Sequence, residues 1–278
     1  EQLFEDDPND RDAAAALRAL YPAADRHQDL GRLLERLIDM AESPSARTTL
    51  RLELSQLNRD KFKSLDTAID LLRAILEEEP GQSEAVVALS ELYEKTQRDE
   101  ELAELLSTQI SAAQSRGDTA SELRFQVRLG EVYDSRLGDR GHAIETYRGV
   151  LERDASHQGA LEALARLYKA QNDSAAAAEI ISRLLDMASG APAVALATEL
   201  GEAEQKLGNA DKAARAFERG LAHDEQSVDL RDRLRVLYQA AKEWEKLSGL
   251  LARDAALAQK PEDAVKLLQK AAGMQSKE

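Results

Sequence analysis

The sequence predicts an all-α solenoid, a stack of helical hairpins along its whole length. Three observations carry this reading. The first is composition: 278 residues hold 47 Ala, 14 Gly, 6 Pro and 11 aromatics. Ala, Leu, Glu and Arg favour helix, and so few Gly and Pro leave little room for the tight turns of a β fold. The second is a repeated tetrad. Leu17-Arg18-Ala19-Leu20, Leu89-Ser90-Glu91-Leu92, Leu164-Ala165-Arg166-Leu167 and Leu234-Arg235-Val236-Leu237 each run into a tyrosine. These tyrosines, Tyr21, Tyr93, Tyr168 and Tyr238, lie 72, 75 and 70 residues apart. The third is a second series between them: Ala68-Ile69…Leu72…Leu76, Ala143-Ile144…Tyr147…Leu151 and Ala213…Phe217…Leu221. A unit of this length is twice a helical hairpin of about 34 residues.

Each hairpin can be placed in turn. Starting every repeat six residues before its first signature Leu puts the starts at 11, 48, 83, 123, 158, 194, 228 and 262, with gaps of 37, 35, 40, 35, 36, 34 and 34. The extra residues are expected in loops: Ser115-Arg116-Gly117-Asp118 between two repeats, and one residue within 136–141. Pro8, Pro44, Pro80, Pro192 and Pro261 fall at junctions between hairpins and Pro22 in a turn between the two helices of one. None is expected inside a helix, where proline costs about 3 kcal/mol. Asp10 or Asp12, Ser83 and Ser174 are expected N-caps.

The pattern Leu, small residue and Tyr in a first helix (A), then Ala, an aromatic and Leu in a second (B), resembles the tetratricopeptide repeat family. The best matches are Leu129-Gly130…Tyr133…Ala143…Tyr147…Leu151 and Leu200-Gly201…Gly208…Ala213…Phe217…Leu221, followed by Leu164-Ala165…Tyr168…Ala177. The resemblance implies one continuous right-handed superhelix over residues 1–278, with about seven hairpins and partial hairpins at both ends. Each hairpin has an apolar stripe that only its neighbour can cover. Gly130, Ala165 and Gly201 are expected to let helices A and B approach, as are Ala143, Ala177 and Ala213 from helix B. Three repeats carry Leu at that second position, Leu30, Leu102 and Leu247. Two alternating hairpin types are expected from this, because the larger side chain holds the helices apart.

The ends read as cuts. Residues 3–8 align with the tail of a B helix, and Glu262 to Gly273 form an A helix without its B partner. The chain is expected to be a piece of a longer bacterial array.

Little here suggests chemistry. There is no Cys, so no disulfide, thiolate metal site or thiol nucleophile. His27, His142, His157 and His223 lack metal-ligand spacing. The runs Glu77-Glu78-Glu79 and Asp99-Glu100-Glu101 sit at helix ends, where carboxylates stay solvated rather than tuned by burial. Gly138-Asp139-Arg140-Gly141 lacks the strand-before-helix setting of a phosphate loop. We expect no catalytic residue, cofactor or metal. A net charge of −15 argues against nucleic acid and anionic membranes, and no apolar run is long enough to span a membrane. A cytoplasmic location is expected, although a Cys-free chain suits the periplasm equally.

Function is therefore expected at the surface. By the resemblance, A helices line a concave groove that holds partner peptides or helices. Candidate groove residues are Leu52, Gln56, Arg59, Val87, Glu91, Glu94, Val127, Glu131, Asp134, Arg166 and Lys169. The groove is expected to be apolar in its N-terminal half and acidic around Glu91, Glu94, Glu131 and Asp134. It would suit a protein segment with apolar anchors and basic residues. Leu52, Val87 and Val127 could instead simply pack between neighbouring A helices. No Asn follows the small residue of helix A, so no carboxylate clamp of the chaperone-binding kind is expected. Trp244 begins a B helix and is expected to pack on the neighbouring hairpin. Two alternatives to a scaffold are the regulatory or substrate-presenting segment of a larger enzyme and a self-assembling spacer.

Overall fold

The computed structural model describes residues 7, 10–258 and 260–275. Among them are fifteen α-helices and no strand. In chain order these are α1 (Arg11–Ala23), α2 (His27–Met40), α3 (Pro44–Leu57), α4 (Leu65–Glu78), α5 (Ser83–Thr96), α6 (Asp99–Arg116) and α7 (Thr119–Glu131). Then come α8 (Arg140–Arg153), α9 (Gln158–Ala170), α10 (Ser174–Met187), α11 (Gly190–Lys206), α12 (Ala210–His223), α13 (Val228–Ala241), α14 (Trp244–Leu257) and α15 (Pro261–Gln275). The chain divides into two compact units, residues 1–139 with α1–α7 and residues 140–278 with α8–α15. The boundary falls inside the expected fourth repeat. The expected helix tail at residues 3–8 lies outside the described residues except for Asp7.

Odd-numbered helices are the A helices. In the first unit their signature leucines, Leu17, Leu54, Leu89 and Leu129, are buried; in the second so are Leu164, Leu200 and Leu234. Leu268, the equivalent residue of α15, is 51% exposed. Among the described residues no B helix follows α15 to cover it.

The turn from helix A to helix B is built one way after four of the A helices. After α1, α5, α9 and α13 a single residue adopts left-handed backbone: Asp25, Gln97, Asn172 and Lys242, with φ of 56°, 58°, 58° and 58°. The next N–H then returns to the tyrosine carbonyl five residues back: Arg26 to Tyr21 at 2.8 Å, Arg98 to Tyr93 at 2.9 Å, Asp173 to Tyr168 at 3.0 Å and Glu243 to Tyr238 at 2.9 Å. The recurrent tyrosine thus serves twice. Each ring is buried in the hairpin, and each carbonyl closes the turn that an ending helix would otherwise leave unsatisfied.

Two A helices depart from this. Five-residue π-turns follow α3 at Asn58–Phe62 and α7 at Val132–Arg136. In both, the closing bond spans six residues rather than five, from Ser64 to Asn58 and from Asp139 to Tyr133. The single extra residue of these repeats is therefore taken up inside the helix as a wider turn, and not in the loop at 136–141 as the sequence suggests. The longer insertion is helical too. Ser115 and Arg116 extend α6 to 18 residues, leaving only Gly117 and Asp118 between helices.

Proline and cap positions shift in the same sense. Pro22 lies within the last turn of α1 rather than in the turn after it. Pro192 is the third residue of α11, where its missing N–H would have had no helical partner anyway. The cap of α1 is Asp10, which accepts from the N–H groups of Asp12 and Ala13. Gln82 and Asp173, not Ser83 and Ser174, cap α5 and α10.

Two hairpin types occur, for a reason visible in two adjacent positions, but they do not strictly alternate: α2, α6 and α14 carry Leu, whereas α4 and then α8, α10 and α12 in succession carry Ala. Where B helices carry Leu, a small residue follows: Leu30-Gly31, Leu102-Ala103 and Leu247-Ser248, all buried. The Ala helices include the reverse order, as in Ala68-Ile69. One step along a helix is a rotation of about 100°, so the small surface faces a different neighbour. The backbones of α1/α2, α5/α6 and α13/α14 accordingly stay further apart than those of α3/α4, α9/α10 and α11/α12. Their B helices approach the next A helix more closely instead. At Gly31 an added Cβ would lie 3.4 Å from the ring of Phe62, which belongs to the next hairpin.

Candidate functional site

The A helices of the first unit form a grooved face. Between α3 and α5 lies a cavity of about 360 Å³ lined by Leu52, Gln56, Arg59, Val87 and Glu91 among others. Between α5 and α7 lies a second, of about 670 Å³, lined by Val87, Val127 and Glu131 among others. Seven of the eleven candidate residues thus line two adjoining cavities, and Ser83 and Val87 line both. The Val87 side chain projects because Val86 and Leu89 turn the opposite side of α5 into the core. Val87 is 54% exposed and so does not pack between helices. Leu52 is half-buried and packs on the apolar cluster around Ile69 and Leu106. Val127 is half-buried. Glu84, Arg124 and Phe125 also line these cavities. Glu84 and Arg124 are the second residues of their repeats, a position that the repeat register also marks as groove-facing, and Phe125 is a third residue, which it does not mark.

The charges are more tightly paired than the sequence suggests. Arg59 forms an ion pair with Asp60 at 2.8 Å, which holds the Asp60 carboxyl below its ordinary pKa. Glu94 receives Arg128 of α7 at 2.8 Å and lies 3.9 Å from Arg136. Neither Glu94 nor Asp134 lines either cavity. The first cavity carries Glu84 and Glu91 beside Arg59, while the second mixes Asp118 and Glu131 with Arg116, Arg124 and Arg128.

Glu94–Arg128 belongs to a recurring set. Consecutive A helices are tied by Arg18–Glu53 across α1 and α3, by Lys169–Glu199 across α9 and α11, and by Arg233–Glu202 at 2.9 Å across α13 and α11. The partners lie about one repeat apart in sequence. That spacing is the signal by which they could have been found. Arg166 and Lys169 are exposed on α9, in the second unit. Lys169 is thus a tie between helices.

Among the described residues no three His, Asp or Glu side chains gather as a metal-ligand set. His157 caps α9, its Nδ1 accepting from the Ala160 N–H at 3.1 Å. No described helix is long and apolar enough to cross a membrane. Trp244 packs, partly buried, on the core around Phe217.

Residues 123–157 and 160–192 match sequence models of the tetratricopeptide repeat. A comparison with curated proteins returns no match. Among solved structures the fold is similar to that of Naa15/Naa10 bound to HypK-THB, with a TM-score of 0.53 and 17% identity, over 95% of this chain and 39% of that one. A tetratricopeptide repeat protein from Parabacteroides merdae ATCC 43184 aligns over 94% of this chain and 98% of its own at 14% identity, with a TM-score of 0.42. MamA protein aligns over 66% and 94% at 17% identity, also with a TM-score of 0.42. With two repeats matched in sequence and helical hairpins stacked in both units, the chain carries tetratricopeptide repeats.

Proposed function

We propose that this chain is a non-enzymatic interaction scaffold, and that the groove across α3, α5 and α7 receives a segment of a protein partner. The repeats support the scaffold role in general terms. The single observation that carries the groove is Val87, a large apolar side chain left 54% exposed between two cavities. A partner residue seated there would cover Val87 together with Leu52 and Phe125. A basic residue of the same segment would face Glu84 and Glu91. Such a segment is extended or helical, with an apolar anchor and a basic flank.

The test is Val87→Asp in the full chain. Because the side chain is exposed, the melting temperature stays that of the wild type. Partners recovered by the wild type in a pull-down with mass spectrometry are lost from the variant. Recovery of the same partners by both proteins overturns the groove assignment. Leu52→Asp is the contrasting variant: it introduces charge against the core and lowers the melting temperature.

A further inference from the structure

On the B-helix side of the second unit, α10 and α12 flank a trough of about 880 Å³ that closes against the C-terminal turn of α11. The trough exists because its floor is made of short side chains. Ala178 and Ala216 are buried there, and larger residues at either position would fill it. Leu207 adds apolar surface, 40% exposed.

The α12 bank is cationic. Lys212, Arg215 and Arg219 are spaced by three and four residues, which places them on one stripe of the helix. Arg183 stands on the α10 bank. Two of these cations are engaged: Arg219 with Asp186, and Arg183 with the Ala155 carbonyl at 2.6 Å. Lys212 and Arg215 are exposed and make no ion pair among the described residues. The background charge also differs along the chain. Residues 1–139 hold 17 Lys and Arg against 30 Asp and Glu, whereas residues 140–278 hold 20 against 22. The stripe therefore lies in the nearly neutral part of a strongly acidic chain.

We propose that this trough docks an acidic segment of a protein partner. Its carboxylates pair with Lys212 and Arg215, and its short apolar side chains rest on the alanine floor and Leu207. Two carboxylates in the lining select a peptide over nucleic acid. Glu179 is exposed there, and Glu204 is mostly buried and held by the Asn209 amide at 2.7 Å. A nucleic acid presents evenly spaced phosphates, which these carboxylates repel, whereas a peptide places negative charge only where a cation waits. The inference is independent of the groove on α3, α5 and α7.

The test uses the full chain and a fluorescein-labelled peptide alternating Glu with Ala and Leu, followed by fluorescence anisotropy. The same peptide with Gln for Glu binds at least about tenfold more weakly, and added salt weakens the Glu peptide. Lys212→Glu/Arg215→Glu reduces binding at least about tenfold, while Lys270→Glu on α15 leaves it unchanged. If the charge reversal lowers the melting temperature, the neutral pair Lys212→Gln/Arg215→Gln gives the same reading. Val87→Asp retains this binding, which separates the result from that of the α3–α7 groove. Equal binding of the Glu and Gln peptides overturns the proposal. So does unchanged binding by the double variant, or tighter binding of an oligothymidine strand than of the Glu peptide.

Discussion

A methyl group on Gly201 would lie 2.1 Å from the ring of Phe217. Helices α11 and α12 pack closely here, and the Phe217 ring, fully buried, fills the space that glycine leaves. Gly201→Ala therefore sets a helix-propensity gain of about 1 kcal/mol against a clash with an enclosed ring. Overpacking of this kind costs about 1–3 kcal/mol, and more where nothing can move. We expect a net loss of about 2 kcal/mol in urea unfolding. Phe217→Leu should relieve part of it, giving a favourable coupling in a double-mutant cycle. Additive effects would show that the two residues do not share the constraint.

The same substitution has the opposite sign at Gly249. This glycine is exposed within α14, and an added Cβ would meet nothing within 4 Å. Only the backbone term remains. Gly249→Ala should stabilise the chain by about 1 kcal/mol, read as an upward shift of the urea midpoint. A downward shift would mean that α14 is packed on that side.

Lys242 ends α13 in left-handed backbone, at φ of 58°. A side chain costs about 1 kcal/mol there, and glycine removes that cost. Glycine is also the commonest residue at this position of a helix end. Lys242→Gly should therefore raise stability, although Gly loses more entropy on folding elsewhere. Thermal unfolding of the variant checks the sign.

These positions mark what the sequence could and could not reveal. Leu, small residue and Tyr recur because every hairpin solves the same packing problem, so hairpin number and order were readable. Gly201 opposite Phe217 was readable for the same reason. Where the single extra residue of two repeats is accommodated was not readable, since a π-turn and a longer loop leave the flanking signatures in the same register. The reversed order Leu-small against Ala-Ile was in plain view, yet its meaning required knowing which neighbour each face meets. Repeat register picked Leu52, Val87 and Val127, which line the two cavities of the first unit. It missed that Glu94 is occupied, because Arg128 lies 34 residues away in sequence.

Arg235 takes the place of the small helix-A residue in α13 and reaches Asp254 of α14, Nε to Oδ2 at 3.1 Å. Arg231 approaches the other oxygen at 3.3 Å. The Asp254 side chain is only 6% exposed and that of Arg231 11%. Removing the carboxylate strands a buried cation, which costs about 3–5 kcal/mol. Asp254→Ala should therefore destabilise the second unit far more than Arg235→Ala, whose side chain is 36% exposed. Equal effects in urea unfolding would mean that Arg231 finds a full set of partners without Asp254.

Glu78 at the end of α4 accepts from Arg51 at 2.8 Å and from Arg47 at 3.1 Å. Hydrogen bonds from Arg51 and then Arg47 hold its carboxyl below the ordinary pKa. The unfolded carboxyl, at the ordinary value, takes up its proton first as pH falls, so the unfolded state binds more protons in that range. The contribution of Glu78 is thus complete at neutral pH and disappears as pH falls from the ordinary value through the lower folded one. Wild type should be more stable than Glu78→Gln at neutral pH, with the gap closing in acid and shrinking in high salt. Urea unfolding of both proteins across that range measures the gap. A gap that persists in acid would show that Arg47 and Arg51 support α4 without the Glu78 charge.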